Sequence, residues 1–205
     1  LFVLDRGKPR LHETEIFGSR EIFFHNEEEE MGIIPDEAWD LHRGRVFCLS
    51  KERLRLPNGE TVELEIIHHP GAAAIVPLLV DRRVVMIKQY RHAVGQFLWE
   101  VPAGTLNPGE SPIECAKREL PEEVGYRART FQKIGEIYPV PGYSDELIYI
   151  FLATDLTPGR QNLDRDEVLD VKPIPLEEAL EMIKRGEIRD AKTIIALFFT
   201  TLKGK

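Results

Sequence analysis

Apolar and polar positions along the chain change period several times, and the changes mark its elements. Val62, Leu64 and Ile66 alternate with Glu63, Glu65 and Ile67, the two-residue period of a strand with one covered face. Ahead of them lies Pro57-Asn58-Gly59-Glu60. Asn-Gly is a strong hairpin signal because both residues tolerate positive φ. Arg53 to Leu56 and Thr61 to Ile67 therefore read as a hairpin, and Gly44 to Ser50, with Val46 and Phe47, reads as a further strand. Together they predict a small antiparallel sheet over roughly residues 42 to 69, ended by Pro70-Gly71. Ala72 to Leu79 and Arg83 to Tyr90 are apolar, β-branched runs joined at Val80-Asp81-Arg82, which reads as a second hairpin. Trp99 to Pro102 is a short extended piece, and Phe131 to Tyr138 and Glu146 to Ala153 read as strands.

The helical period appears in three places. Ser111 suits an N-cap, with Pro112 at the first helical position and Glu114 three residues on, a capping box. Gly125 suits the left-handed cap that ends the same helix. Leu176, Ala179, Leu180 and Ile183 make Pro175 to Arg185 amphipathic, and Asp190 to Lys203 is a third helix. Strands, one helix, more strands and then helices predict an α/β (α+β) fold whose mixed sheet is covered on both faces.

Composition narrows the classes. The chain has 205 residues, 42% of them hydrophobic, enough for one domain with a small accessory unit. The boundaries read as an N-terminal extension over residues 1–38, a small sheet over 39–70 and a main domain over 71–205. Asp and Glu outnumber Lys and Arg 35 to 27, for a net charge of -8. That balance argues against nucleic-acid or anionic-membrane binding and suits a protein that gathers carboxylates around a cation. Ala72 to Val80, among the longest apolar runs, is too short to span a bilayer. With no signal-like leader evident, the chain reads as cytoplasmic. Cys48 and Cys115 have no pairing or zinc-like spacing and read as reduced core cysteines. In the extension, Glu27 to Glu30 reads as a solvated face or tail, whereas Ile22-Phe23-Phe24 is apolar enough to dock on something. The first methionine is Met31, so the extension reads either as native or as preceding the biological start.

The chemistry concentrates between Gly104 and Tyr126. On a helix, residues three and four apart share a face, so Glu119 lies beside Glu122 and Glu123. Crowded carboxylates repel one another unless a cation sits among them. Hard oxygen donors of this kind suit Mg²⁺ or Mn²⁺, which neutralise a pyrophosphate and activate water for attack on phosphorus. Arg118 and Glu110 are placed to pair across the loop–helix junction and hold the acidic residues.

This segment resembles the Nudix box, G-x5-E-x7-R-E-U-x-E-E-x-G-U, with U a bulky aliphatic. Gly104, Glu110, Arg118, Glu119, Glu122, Glu123 and Gly125 fill its invariant positions, and Leu120 fills the first U. Chance agreement at that many positions is on the order of once in 10⁸ starting points at average residue usage. Two features depart from the pattern. Tyr126 replaces the last aliphatic, and Pro121 sits inside the helix, where its ring crowds the Lys117 carbonyl and is expected to kink the last turn.

The flanks resemble the ADP-ribose pyrophosphatase branch, from about Trp39 to Leu202. The matching stretches are Lys88-Gln89-Tyr90-Arg91, Trp99 to Gly104, Tyr138 to Glu146, Pro175 to Ala179 and Gly186 to Thr193. GDP-mannose hydrolases share much of this pattern. Tyr143 also stands near a tyrosine of dinucleoside polyphosphate hydrolases.

The resemblance implies an α/β/α sandwich and cleavage of ADP-ribose into AMP and ribose 5-phosphate, or cleavage of the pyrophosphate of a related nucleoside diphosphate sugar. It implies metal contacts from Glu119, Glu122, Glu123 and the Ala103 carbonyl, with Glu100 at or near the ions. Arg91 would bind phosphate. Trp39, Phe47 and Tyr143 are candidates for the rest of the substrate. Glu167 is the candidate catalytic base, with Glu122 and Arg118 supporting the chemistry. Asp170 stands where the family has a second glutamate. The small sheet would be the dimerisation unit of a homodimer, with Trp39 and Phe47 completing the partner's nucleotide pocket. A competing reading is a Nudix domain that senses a nucleotide without cleaving it. Retention of every box glutamate speaks against it.

Overall fold

The structure is a computed structural model that describes residues 33–163, 165 and 168–203. The Ile22-Phe23-Phe24 segment, the Glu27 to Glu30 run and the candidate base Glu167 lie outside the described residues.

Three strands come first: β1 (Glu37–Arg43), β2 (Cys48–Arg55) and β3 (Thr61–His68). They pair antiparallel in that order. Gly59, at φ 89°, closes the β2–β3 turn as the Asn-Gly signal required. The region before it differs from expectation. Gly44 to Phe47 is a turn, closed by the Gly44 N–H on the Phe47 carbonyl at 2.9 Å, and the strand lies upstream as β1. Every residue of β1 is exposed, so no burial pattern was there to announce it. His68 ties this sheet to the rest of the fold. Its Nδ1 lies 2.8 Å from Asp145, and its Nε2 lies 2.9 Å from Glu52 and 2.8 Å from the Ser50 hydroxyl. These contacts give His68 a structural role.

The larger part of the fold follows with β4 (Ala72–Pro77), β5 (Arg83–Arg91), β6 (Gln96–Glu100), β7 (Ala103–Thr105), α1 (Pro112–Val124), β8 (Tyr126–Ile137), β9 (Ile148–Pro158), β10 (Leu169–Pro175), α2 (Leu176–Lys184) and α3 (Ala191–Lys203). One mixed sheet runs β7-β4-β9-β8, with β4 and β9 parallel, and a second runs β10-β5-β6, all antiparallel. β4 is buried along its whole length, which is why it reads as a continuous apolar run rather than an alternation. Ala72, Ala74 and Val76 join Val84, Met86, Ile150, Leu176, Met182 and Leu197 in one core cluster. Ala73 and Ile75 join Val85, Ile87, Cys115, Leu120 and Phe151 in another. The sheets therefore carry α1 on one face and α2 and α3 on the other, the α/β/α sandwich. A fully buried Leu such as Leu120 contributes roughly 2 kcal/mol from burial alone.

Two further expectations are corrected. β4 and β5 do not form a hairpin ladder. They meet at one isolated bridge, Leu78 to Val84, and then diverge into different sheets. β10 was not anticipated, because Pro173 and Pro175 argue against a strand. It lies at a sheet edge, where a missing N–H leaves no ladder bond unmade.

Helix α1 begins and ends as its sequence dictates. Ser111 Oγ accepts the Glu114 N–H, the Glu114 carboxylate accepts the Ser111 N–H, and Gly125 at φ 68° caps the far end. The helix runs unbroken through Pro121 to Val124, so the expected kink does not interrupt it. No helix among the described residues is long and apolar enough to cross a membrane. Cys48 and Cys115 are free, Cys115 buried and Cys48 half-buried.

Candidate active site

The site forms where the end of α1 meets the short strand β7. Glu119 and Glu123 are buried on the inner face of the helix, and Glu122 is half-buried beside them. The Ala103 N–H donates to Glu123 Oε2 at 2.9 Å. Gly104 faces Glu119 so closely that a Cβ there would stand 1.8 Å from Glu119 Oε1. A side chain at this position would therefore displace the Glu119 carboxylate, which gives the glycine of the box a reason in space rather than in backbone angle.

Arg118 holds the acidic residues together. Its Nε and Nη2 donate to the two Glu110 oxygens at 2.7 and 2.8 Å, a bidentate pair. Its Nη1 donates to Glu119 and, at 3.2 Å, to Glu122, and its Nη2 also reaches the Thr105 carbonyl. The guanidinium holds the Glu110 carboxyl at about 2, and the carboxylates hold Arg118 above its ordinary value. Cys115 packs beneath, its thiol donating to the Gly104 carbonyl at 3.4 Å. Burial pushes that thiol up to about 12, so it acts as a packing group rather than a nucleophile.

A cleft of about 810 Å³ opens over these residues, lined among others by Gln89, Arg91, Ala103, Glu119, Glu122 and Glu123. A smaller cavity of about 300 Å³ adjoins it and shares Arg91 and Ala103 to Thr105. At this junction Arg91 donates through Nε and Nη2 to both oxygens of Glu100, each at 2.8 Å. Lys192 binds the same carboxylate. Burial would raise Glu100, but Arg91 and Lys192 outweigh it and hold the carboxyl below its ordinary range.

These residues fit a divalent cation. The donors are hard carboxylate oxygens on one helix face, and the space at Gly104 that admits Glu119 is one a Cβ would fill. Among the described residues no three such side chains already converge as a metal cluster. Glu119 is turned to Arg118 and Glu123 to the Ala103 N–H.

The structure brings Arg91, Glu100, Ala103, Arg118, Glu119, Glu122 and Glu123 together around the two cavities. The aromatic candidates stand apart. Trp39 is exposed on β1 with the Arg53 guanidinium 5.5 Å over its ring, and Phe47 is exposed in the turn before β2 beside His42. Tyr143 is exposed in the loop before β9, where its carbonyl accepts the Ile67 N–H at 2.8 Å. From the small sheet, Arg45 and Val46 line the larger cleft. Asp170 lies on β10, paired opposite Lys88. Sequence reasoning missed Lys192 and Gln89. Both stand inside segments that carried the resemblance, but nothing local distinguished them from their neighbours.

An α/β/α sandwich that sets a row of glutamates on one helix against a glycine-bearing strand is the architecture and site of a Nudix protein. The chain belongs to the NUDIX domain family, which matches residues 68–197. It is 40% identical over 177 residues to the ADP-ribose pyrophosphatase of Bacillus subtilis (strain 168), covering 85% of this chain and 94% of that protein. It is 41% identical over 151 residues to the ADP-ribose pyrophosphatase of Mycobacterium tuberculosis (strain ATCC 25618 / H37Rv), covering 72% of this chain and 73% of that one. A crystal structure of an ADP compounds hydrolase superposes with a TM-score of 0.73 at 27% identity, covering 84% of this chain and 95% of that chain.

Proposed function

We propose that this protein is a metal-dependent pyrophosphohydrolase that splits ADP-ribose into AMP and ribose 5-phosphate, using Mg²⁺ or Mn²⁺. The observation that carries the reading is the pairing across one cleft of a buried glutamate row, Glu119 with Glu123, and an arginine, Arg91, at its rim. The two ADP-ribose pyrophosphatases at about equal identity support the substrate.

Glu119, Glu122, Glu123 and the Ala103 carbonyl would hold the ions, with Glu100 close by. When bound, divalent ions supply neutralisation of the pyrophosphate charge and a water of lowered pKa. Arg118 orients Glu119 and Glu122 through the contacts described above. Arg91 binds a substrate phosphate. Glu167 takes the proton of the attacking water. Trp39 and Phe47 act from a second copy of the chain, in a two-fold homodimer built on the small sheet, and offer flat faces to the adenine. Their exposure in the single chain supports that role, and Tyr143 contributes from the neighbouring loop. The two free cysteines support a cytoplasmic setting.

The test is a panel of ADP-ribose, GDP-mannose, diadenosine polyphosphates and NADH, each with Mg²⁺ and then Mn²⁺, with products identified. ADP-ribose is expected to have a kcat/KM at least about tenfold above the others, a difference of about 1.4 kcal/mol in transition-state binding. A higher kcat/KM for GDP-mannose would transfer the assignment to that class of sugar nucleotide.

A further inference from the structure

Helix α3 approaches the cleft from the side opposite α1, and its first turn is unusually well tied. Asp190 Oδ2 accepts the Thr193 N–H at 2.9 Å and the Thr193 hydroxyl at 2.6 Å. The Thr193 Oγ1 in turn accepts the Val101 N–H at 2.9 Å. Lys192 projects from this turn onto Glu100 and lies 3.0 Å from Asp190 Oδ2. Glu100 thus has two cationic partners of different character. The Lys192 side chain is 14% exposed, is shared with Asp190 and lines the smaller cavity, whereas the Arg91 side chain is 40% exposed and lines both cavities.

We infer that Lys192 is a positioning residue: it is the permanent counter-ion of Glu100, and it thereby frees Arg91 to leave that carboxylate for a substrate phosphate. The inference rests on the proposed reading that a phosphate enters beside Arg91. Its physical basis is the cost of an unpaired buried charge. Glu100 is 1% exposed. Were Arg91 its sole side-chain cation, moving Arg91 to a phosphate would leave the buried carboxylate with no cationic side chain, a penalised state that would hold the arginine in place. With Lys192 present, Glu100 keeps a partner throughout, and Arg91 exchanges one anion for another. Arg91, Lys192, Glu100 and Asp190 balance in charge. Asp190 does not compete for Lys192 at full strength, because Thr193 already donates to it twice. Glu146, the other acid on the smaller cavity, lies 3.8 Å from His69 rather than on this pair.

The experiment measures binding of the non-hydrolysable α,β-methylene analogue of ADP-ribose, with Mg²⁺, to the full chain by calorimetry. Steady-state kinetics on ADP-ribose run beside it. Lys192→Met should weaken the analogue at least tenfold and raise KM to match, with kcat within threefold. Lys192→Arg should stay within threefold of wild type in both. In an Arg91→Ala background, Lys192→Met should cost less than twofold more, because the arginine it serves is gone. Unchanged affinity in Lys192→Met overturns the inference. So does an undiminished loss in the Arg91→Ala background, which would make Lys192 a direct ligand or a plain structural residue. Should the double variant not fold, the single variants decide. Affinity lost in Lys192→Met and kept in Lys192→Arg supports the inference, and equal loss in both overturns it. Wild-type protein that neither binds the analogue nor hydrolyses ADP-ribose sinks the functional reading and the inference together. Wild-type binding with a normal Lys192→Met sinks the inference alone.

Discussion

Two of the arginines that line the cleft, Arg91 and Arg118, are each joined to a glutamate by a bidentate pair, yet they are built differently. Arg118 is satisfied by Glu110, Glu119, Glu122 and the Thr105 carbonyl, all within a short stretch of chain. It is a strut, with its donors committed in several directions. Arg91 sets both of its bidentate donors on one acid, Glu100, and shares that acid with Lys192 from far along the sequence. It is held but replaceable. In the proposed reading the contrast separates two tasks: keeping acidic residues in place against their mutual repulsion, and offering a cation to an incoming anion without leaving a buried charge behind.

The largest effect should come from the acid row that Arg118 supports. Glu123→Gln keeps the shape and one acceptor for the Ala103 N–H but removes the charge. It should lower turnover by roughly a thousandfold, about 4 kcal/mol of barrier, with the fold intact by circular dichroism. Near-normal turnover would mean that the row is structural.

The next effect is a pH dependence specific to the Arg118 strut. Glu110 is held down from 4.5 to about 2. A carboxyl with a depressed folded-state pKa stabilises the fold above 4.5. That contribution declines as pH falls below 4.5 and is gone below about 2. Wild type should therefore exceed Glu110→Gln in denaturation stability at neutral pH, and the gap should close on acidification through that window. A gap independent of pH would show that Glu110 contributes by packing alone.

On the Arg91 side, Thr193→Val keeps shape but leaves the Val101 N–H, in a fully buried residue, without its acceptor. Chemical denaturation should show a loss of about 2 kcal/mol. No loss would mean that the first turn of α3 is not a clamp on the chain just after β6.

The smallest effect is expected at Pro121. The helix runs on through the proline to Val124. Pro121→Ala should raise the melting temperature through a gain of about 1 kcal/mol, a part of the interior-proline penalty. A clear loss would show that the native packing depends on the ring.

The same contrast explains which parts of the molecule are legible in the sequence. Everything around Arg118 is local. The Ser111 cap, the Gly125 terminator, the glutamate spacing and the Glu110 partner lie within a short stretch, and helical periodicity alone arranges them. The layered fold is legible too, because β4 and β5 are long apolar runs. What escapes depends on distance or on missing burial. β1 is exposed throughout and carries no core signal, and β10 hides behind prolines that only an edge position tolerates. The β4–β5 connection looks like a hairpin until the sheets it feeds are known. Lys192 gains its meaning from Glu100, which no sequence pattern places beside it. The aromatic candidates Trp39 and Phe47 lie off the cleft lining of their own chain, and in the proposed reading their use depends on a second copy. Sedimentation across a dilution series would expose that dependence, since a fully active monomer would return base recognition to the single chain.

The central claim, that the acid row serves a divalent-metal cleavage of a nucleoside diphosphate sugar, is tested most directly by one product analysis. The protein is incubated with ADP-ribose in Mg²⁺ and, separately, in excess chelator, and the products are resolved by anion-exchange chromatography. AMP and ribose 5-phosphate in equal amounts with Mg²⁺, and neither in chelator, is the predicted result. Equal product in both incubations, or no AMP with metal present, would contradict it.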